Sequence, residues 1–270
     1  MASSDVNLLG INAMKINLIM KRIIILLGVL TSLTAARIVF GQTAEGVITY
    51  EVKINMHRRL PPERAEMKSM IPEFRTSKQQ LFFKGTESLY KPLIEDEEEE
   101  MSSHGNGGGT VRINMRAPNT EVYLDQNSTL LISKQEFMGK EYLITDTVKV
   151  SPWKFGTETK TILGYECKQA YFTDESQPNR KNEITAWYTD KIKPLLGPER
   201  FNTLPGTVLA IDVNNAERTV VALKVDLRSL KKNELKVPSG GEKITQAEYR
   251  KIVDERMKQM GGSNGIIIRN

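Results

Sequence analysis

The feature that most constrains this chain is the alternation of apolar and polar residues in the segment GVITYEVKINM, which begins at Gly46. Side chains at alternate positions of a β-strand lie on the same face of a sheet. The segment therefore predicts a strand with one buried face and one face in water, which is typical of an antiparallel sheet. The residues predicted to share the buried face are Ile48, Tyr50, Val52, Ile54 and Met56.

Similar alternating segments follow along the chain and are separated by turn residues. The segment KQQLFFKGTESLYKPL predicts two strands joined near Gly85. The segment GTVLAIDVNNAERTVVALKVDLRSL predicts a long hairpin that turns at Asn214 and Asn215. Strands are therefore the main elements of the predicted fold.

Two segments have helical spacing instead. Paired prolines open the segment PPERAEMKSMIPEF, whose apolar residues predict a short helix near residues 62–71. Thr245 and Glu248 have the spacing of a capping box and precede an apolar stripe, which predicts a C-terminal helix near residues 245–260.

These elements predict the fold class. About ten short antiparallel strands and two helices favour a mainly β (α+β) fold, with a single curved antiparallel sheet or an open half-barrel. A chain of 270 residues with 39% hydrophobic content is long enough for one substantial core. Residues 42–270 are predicted to form one β-rich domain, interrupted by a flexible acidic and glycine-rich loop at residues 95–110.

The N-terminal residues 1–41 resemble an export signal. Lys21 and Arg22 precede an apolar run of about 14 residues, which is shorter than the roughly 20 needed to span a membrane. Cleavage before Gln42 would leave no membrane anchor, and Met14 or Met20 is a more usual start for such a signal than Met1. The protein is therefore expected in the periplasm or cell envelope.

The charge of the chain argues against a nucleic-acid partner. Lys15, Lys21, Arg22 and Arg37 lie in the predicted signal against Asp5 alone, so 34 basic and 32 acidic side chains remain. Such a balance provides little affinity for phosphates through counterion release.

Groups that carry chemistry are scarce. The only cysteine is Cys167, and the only histidines are His57 and His104, so no catalytic triad and no motif for a cofactor is recognised. Cys167 shares a predicted strand face with Tyr165 and Tyr171, which favours a buried apolar role. An alternative hypothesis is a copper site made of Cys167, His57 and Met56. A second alternative is a hydrolase, for which no nucleophile and base can be named.

A long loop separates two predicted strands in ITAWYTDKIKPLLGPERFNTLPGTVLAIDV, which runs from Ile184 to Val213. In one interpretation the loop is a structural corner, where Gly206 lets backbone pass close to an aromatic ring. In the other, the corner forms the mouth of a cupped sheet and its residues line an apolar groove. The residues predicted to bind a ligand there are Trp153, Trp187, Tyr188, Leu204, Pro205 and Gly206.

Three segments carry a family resemblance: LGYECKQA, ITAWYTDKI with GPERFNTLPGTVL, and KITQAEYRKI. In this order they resemble the GLPGLI family of exported Bacteroidota proteins. Thr203 stands where the naming motif has its first glycine, and Thr207 and Val208 replace its leucine and isoleucine. The segment from Gly164 to Trp187 is also similar to exported proteins with the half-barrel of lipoprotein carriers, which implies a cupped sheet with a helical lid.

The resemblance implies a compartment and an architecture more than an activity. The leading hypothesis is a non-enzymatic envelope protein, which holds an apolar small molecule or a segment of an envelope protein on the concave face of its sheet. An accessory role in outer-membrane transport, beside a transport component, is what the resemblance implies for partners.

Overall fold

The computed structural model describes residues 45–94, 102–104, 110–112, 119–177 and 180–261. The chain divides into two units, Met1–Thr43 and Ala44–Asn270. The predicted signal at residues 1–41 lies outside the described residues and stays a prediction. Most of the predicted flexible loop at residues 95–110 also lies outside them.

In the described residues, fourteen strands form two sheets. A large sheet of twelve strands has the order β14-β8-β7-β6-β3-β2-β1-β13-β12-β11-β10-β9, and β4 pairs with β5 in a separate two-stranded sheet. The strands are β1 (Glu45–Asn55), β2 (Phe74–Lys84), β3 (Glu87–Pro92), β4 (Ser102–His104), β5 (Thr110–Arg112), β6 (Thr120–Asp125), β7 (Leu130–Phe137), β8 (Lys140–Thr147), β9 (Lys154–Ile162), β10 (Tyr165–Gln177), β11 (Arg180–Thr189), β12 (Thr207–Val213), β13 (Arg218–Asp226) and β14 (Glu242–Thr245).

Most neighbours in the large sheet are also neighbours in sequence and pair antiparallel. The turn between β2 and β3 contains Gly85 at φ +55°, and the turn between β12 and β13 places Asn214 and Asn215 at φ +54° and +50°. Both hairpins are confirmed at the predicted turns. Two pairings join strands far apart in sequence: β1 with β13, antiparallel, and β14 with β8, parallel. The predicted curved, open, mainly β fold is thus confirmed.

Three helical segments accompany the sheet. The described helices are α1 (Met56–Arg59), a 3-10 helix (Pro62–Ser69) and α2 (Gln246–Gly261). In the predicted capping box, the Thr245 amide donates to Glu248 Oε2 at 2.7 Å and the Glu248 amide donates to Thr245 Oγ1 at 3.2 Å. The box is confirmed. No described helix has the length and apolar character needed to cross a membrane.

The sheet curves so strongly that one loop reaches from one of its ends to the other. Residues 190–206, here called the strap, connect β11 to β12. Lys193 Nζ donates to Oε1 of Gln126 at 3.3 Å, in the turn between β6 and β7. Arg200 hydrogen-bonds to Gln246 at the start of α2. The strap therefore crosses the concave side of the sheet.

The main core lies between the concave face and the strap. Leu196 and Leu204 of the strap are both 0% exposed and belong to the same cluster as the buried strand residues. The hydroxyl of Tyr50 donates to the carbonyl of Val208 at 2.7 Å inside this core. Other strand residues in the cluster include Ile48, Val52, Leu81, Phe83, Leu124, Ile184, Ile211 and Val220.

A smaller apolar layer covers the convex face. Val47, Phe82, Leu89 and Tyr123 are register partners across β1, β2, β3 and β6, and all four are buried. Residues 227–241, here called the outer crossing, connect β13 to β14 over this face. Lys91 Nζ donates to the carbonyl of Glu234 at 3.4 Å in the outer crossing and lies 4.8 Å from the Phe82 ring centroid.

The pairing of β10 with β9 is irregular near its centre. Between the register pairs Lys168 with Thr159 and Ala170 with Phe155, β9 contains two more residues than β10. The pairing of β10 with β11 runs without a shift from Lys168 to Asp174, so β10 keeps its alternation there. Cys167 is 0% exposed and Tyr171 is 43% exposed, so the face that they are predicted to share is covered at Cys167 and open at Tyr171.

Candidate functional site

Five aromatic side chains gather on the concave face near one end of the sheet and are here called the aromatic cluster. They are Trp153, Phe155, Phe172, Tyr188 and Phe201, supplied by the β8–β9 connection, β9, β10, β11 and the strap. The Trp153 ring packs edge-to-face against Phe172 at 4.6 Å and Phe201 at 6.4 Å between centroids. Phe155 packs in the same way against Tyr188 at 6.2 Å.

Strand register explains why these rings meet. Phe155 lies opposite Ala170, and Trp153 and Phe172 lie two residues away from them on their own chain segments. Side chains two positions apart in a strand share a face. Tyr188 lies two residues after Ala186, which is opposite Ala170. By ring contacts the cluster consists of a trio, Trp153, Phe172 and Phe201, beside a pair, Phe155 and Tyr188.

The aromatic cluster is only partly covered. Trp153, Phe172 and Phe201 are half-buried against the core, and Tyr188 is 6% exposed. Phe155 is 61% exposed. An exposed aromatic ring beside half-buried ones offers rigid apolar contact area to a ligand.

An ion pair borders the aromatic cluster. Lys168 lies opposite Tyr188 in the sheet and its ammonium donates to Asp190 Oδ2 at 2.9 Å. This hydrogen bond lowers the pKa of Asp190 and raises the pKa of Lys168. Lys191 Nζ lies 3.4 Å from the other oxygen of the same carboxylate, so two ammonium groups share one carboxylate at this border.

The strap is tied to the aromatic cluster by one side-chain hydrogen bond. Trp153 Nε1 donates to Thr203 Oγ1 at 3.0 Å. The Thr203 hydroxyl therefore fixes the indole, at a position where the predicted GLPGLI resemblance expects glycine.

The predicted ligand residues of the strap form a structural corner. Leu204 is 0% exposed, Pro205 is exposed, and Gly206 is buried against β11. A Cβ on Gly206 would lie 2.3 Å from the Thr189 carbonyl oxygen and 2.9 Å from the Tyr188 ring. The expected close approach to an aromatic ring is confirmed. Leu204 is enclosed in the core and lines no open groove, because the strap itself fills the centre of the concave face.

Trp187 lies apart from the other predicted ligand residues. It follows Ala186 and precedes Tyr188 in β11, so its side chain points to the opposite face from theirs. Lys160 Nζ lies 4.4 Å from the Trp187 ring centroid, and burial lowers the pKa of this lysine. Of the six predicted residues, the structure joins Trp153 and Tyr188 in the aromatic cluster and leaves Trp187 outside it.

The residues of the copper hypothesis do not come together. Met56 and His57 follow the end of β1. Successive register pairs form one row across the sheet, which runs from Ile54 of β1 through Arg218, Val213 and Ile184 to Phe172 of β10. Cys167 lies five residues from Phe172, about 17 Å along the strand, and four strands away from β1. The proposed trio is therefore wrong as a site. Among the residues that the structure describes, no three His, Cys, Asp or Glu side chains gather to hold a metal ion.

Cys167 has the buried role that its neighbours predicted. The side chain is 0% exposed and its thiol lies 3.5 Å from the carbonyl of Tyr165. Burial raises the pKa of Cys167 to about 11, so the thiol is protonated and a poor nucleophile near neutral pH.

The model of a known protein family matches more than half of the chain. Residues 109–251 match the model of the family described as N-glycanase peptide, N-terminal domain. The chain belongs to this family. No curated protein matches this chain. The family description bears neither for nor against the GLPGLI resemblance, which stays a prediction.

The fold of this N-glycanase N-terminal domain is also found in solved structures. Structures of PNGF-II in the P21 and C2 space groups each align with a TM-score of 0.50 and 16% identity over 78% of this chain. The chain spans about a third of the length of these relatives, 34% and 33% respectively. At this identity the likeness is one of fold.

Sequence reasoning missed three members of the aromatic cluster: Phe155, Phe172 and Phe201. Phe155 follows Trp153 at a period of two, and this spacing is a usable signal. Phe201 has no local signal, because it reaches Trp153 only through the folding of the strap across the sheet.

Proposed function

We propose that this chain is a non-enzymatic, exported binding domain that holds an apolar ligand or an apolar segment of a partner protein at the aromatic cluster. The observation that supports this proposal most directly is the 61% exposure of Phe155, whose ring packs edge-to-face against the buried ring of Tyr188. Buried and half-buried aromatic anchors are the side chains that contribute most to binding at protein interfaces.

The location of the proposed binding surface follows from the position of the strap. Leu196 and Leu204 occupy the centre of the concave face, so the accessible apolar surface lies at the end made by β9, β10 and β11. In the described sheet β9 is the last strand, so its outer edge leaves backbone donors and acceptors for an added extended segment. A bound segment would place alternate side chains on Phe155.

A non-enzymatic role is supported by the chemistry of the site. The phenol of Tyr188 is the only oxygen or sulfur nucleophile in the aromatic cluster and its side chain is buried, and the thiol of Cys167 is buried with a raised pKa. The family is described as the N-terminal domain of an N-glycanase, and the chain spans about a third of PNGF-II. We expect this chain alone to release no N-glycan from a glycoprotein; release would instead favour the hydrolase alternative.

Export to the periplasm or envelope is part of the same proposal. It is supported by the charged and apolar pattern of residues 1–41 and by the resemblance to the GLPGLI family. An envelope protein segment, such as one from an outer-membrane transport component, is therefore the partner class expected at the aromatic cluster.

The proposal is tested by native mass spectrometry of residues 42–270 purified from envelope extracts, and by selection of extended peptides from a displayed random library. A co-purified small apolar mass would identify the ligand class, whereas selected peptides would identify the partner-segment class. Phe155→Ala should weaken the recovered interaction at least about tenfold, since the loss of a hot-spot aromatic anchor costs about 2 kcal/mol or more and a tenfold change corresponds to about 1.4 kcal/mol.

Tyr171→Ala is the matched control for this variant. Tyr171 is also aromatic and exposed, at 43%, and it lies beside Ala170 but points to the opposite face. Binding unchanged in Tyr171→Ala and lost in Phe155→Ala supports the proposal. Equal effects of the two variants, or no interaction in either experiment, would contradict it.

A further inference from the structure

A buried hydroxyl group on the concave face has no hydrogen-bond partner among the described residues. Tyr90 of β3 is 4% exposed, and its hydroxyl makes no hydrogen bond within the part of the chain that the structure describes. A buried polar group without a hydrogen bond is unfavourable, and the great majority of such groups in folded proteins are paired. The Tyr90 hydroxyl therefore points to a missing partner.

A neighbouring tyrosine shows that the same core satisfies such a group where it can. The rings of Tyr50 and Tyr90 meet edge-to-face at 6.2 Å between centroids. The Tyr50 hydroxyl donates to the carbonyl of Val208 at 2.7 Å, so it has a hydrogen-bond partner within the protein. Tyr90 is also buried, but no described residue provides a corresponding acceptor.

The charged groups that act on Tyr90 form an ion pair between the strap and the sheet. Glu199 of the strap accepts a hydrogen bond from Arg218 of β13. Burial and the nearby Glu199 raise the pKa of Tyr90 well above its usual value, so its hydroxyl remains protonated and available as a donor. The side chains of Arg218 and Glu199 are 18% and 30% exposed, so this ion pair reaches solvent beside the strap.

We propose that Tyr90, Glu199 and Arg218 form a small inner binding site for a neutral group that carries a hydroxyl or an amide. Glu199 and Arg218 neutralise each other. An anion bound beside them would be repelled by the carboxylate, and a cation would be repelled by the guanidinium. A neutral group that donates and accepts hydrogen bonds would meet neither repulsion. The rings of Tyr50 and Tyr90 supply the apolar wall. This site is separate from the aromatic cluster and does not depend on the function proposed for it.

The site is tested with a series of small probes of similar size and different charge. Acetamide and glycerol are the neutral probes, and acetate and methylammonium are the charged counterparts of acetamide. Saturable changes in the ring signals of selectively labelled tyrosine, followed by NMR, report binding. We expect acetamide and glycerol to bind to the wild-type chain, and acetate and methylammonium to bind at least about tenfold more weakly.

Tyr90→Phe removes the hydroxyl and leaves the ring in place. It should weaken the binding of both neutral probes about tenfold, which corresponds to the loss of one hydrogen bond. In the absence of probe its melting temperature should equal or exceed that of the wild type, because the lost hydroxyl had no partner. Tyr50→Phe is the matched control and should melt at a lower temperature, because it loses a bond to Val208.

Three results would overturn the inner site. They are equal binding of the neutral probes by the wild type and Tyr90→Phe, equal binding of neutral and charged probes, and no binding of either neutral probe to the wild type. The last result would mean that water alone serves the hydroxyl. None of these outcomes affects the comparison of Phe155→Ala with Tyr171→Ala, so the two proposals fail independently.

Discussion

The strap and the outer crossing are both long irregular segments, and they cover the two faces of the same sheet by different means. The strap inserts Leu196 and Leu204, each 0% exposed, into the main core. The outer crossing is held by an ion pair, in which both guanidinium nitrogens of Arg228 donate to the Glu234 carboxylate at 2.8 and 2.7 Å. Leu227, at the start of the outer crossing, is 53% exposed.

This difference shows that a segment without regular secondary structure can contribute side chains to the core. Burial of apolar side chains stabilises the strap, and this contribution is insensitive to salt and pH. Exposed ion pairs contribute little and are screened. The strap should therefore unfold only with the sheet, whereas the outer crossing can be loosened by itself.

The largest expected effect is that of Leu204→Ala. Removal of a fully buried leucine leaves a cavity between the strap and the sheet, and we expect a loss of about 2–5 kcal/mol in the free energy of unfolding. Chemical denaturation measures this loss. Leu227→Ala in the outer crossing is the control, with an expected change within about 0.5 kcal/mol. Similar losses for the two leucines would break the contrast between the segments.

A smaller effect is expected at the bond between the strap and the aromatic cluster. Thr203→Val keeps the shape of the side chain but leaves Trp153 Nε1 without its acceptor, at an expected cost of about 1 kcal/mol. Thr203→Ser keeps the hydroxyl and should restore most of this stability. Tryptophan fluorescence during denaturant unfolding reports both changes. Equal stability of the valine and serine variants would show that the hydrogen bond contributes nothing.

The smallest effect is expected at Glu234, where it should depend on pH. The hydrogen bonds from Arg228, followed by that from the Lys231 amide, lower the pKa of Glu234 to about 2. A carboxylate with a lowered folded pKa stabilises the folded state above its unfolded pKa, about 4.3, and loses that contribution as the pH falls toward 2. Glu234→Gln should thus be less stable than the wild type at pH 7 by less than about 1 kcal/mol.

This difference should shrink as the pH falls from about 4.5 to 2. Denaturant unfolding of the wild type and Glu234→Gln at several pH values separates the contribution of Glu234 to the free energy of unfolding from that of the other carboxylates. A difference that stays constant over this range would show that the charge of Glu234 does not hold the outer crossing.

Local patterns predicted the parts of the fold that are decided locally. The alternation around Tyr50, the turn at Asn214 and the capping box at Thr245 all appear where the sequence places them. Each depends on neighbours within a few residues, through the pleat of a strand, a left-handed backbone or a cap. Register between distant strands, such as β1 with β13, has no such local signal.

The site was less predictable because it is assembled by the strap. Phe172 joins the aromatic cluster because Trp153, in the irregular connection before β9, packs against it, and no alternation in that connection predicts the contact. The size of Trp187 predicts a ligand contact, but its ring lies against Lys160 and makes no contact with the rings of the aromatic cluster among the described aromatic pairs. Leu204 was expected at an opening, whereas the curvature of the sheet, which no short segment encodes, encloses it.

The position of β1 has a consequence for how the chain acquires its structure. It is the first described strand to leave the ribosome, yet one of its two partners is β13, whose register pairs Val47 with Asp226 and Ile54 with Arg218. During synthesis one edge of β1 lacks its native partner until residues more than 160 positions later have been made. Such non-local pairing slows folding and leaves an unsatisfied strand edge in the nascent chain. A molecular chaperone that shields this edge until β13 has emerged would protect the chain during the interval when it is most prone to aggregate.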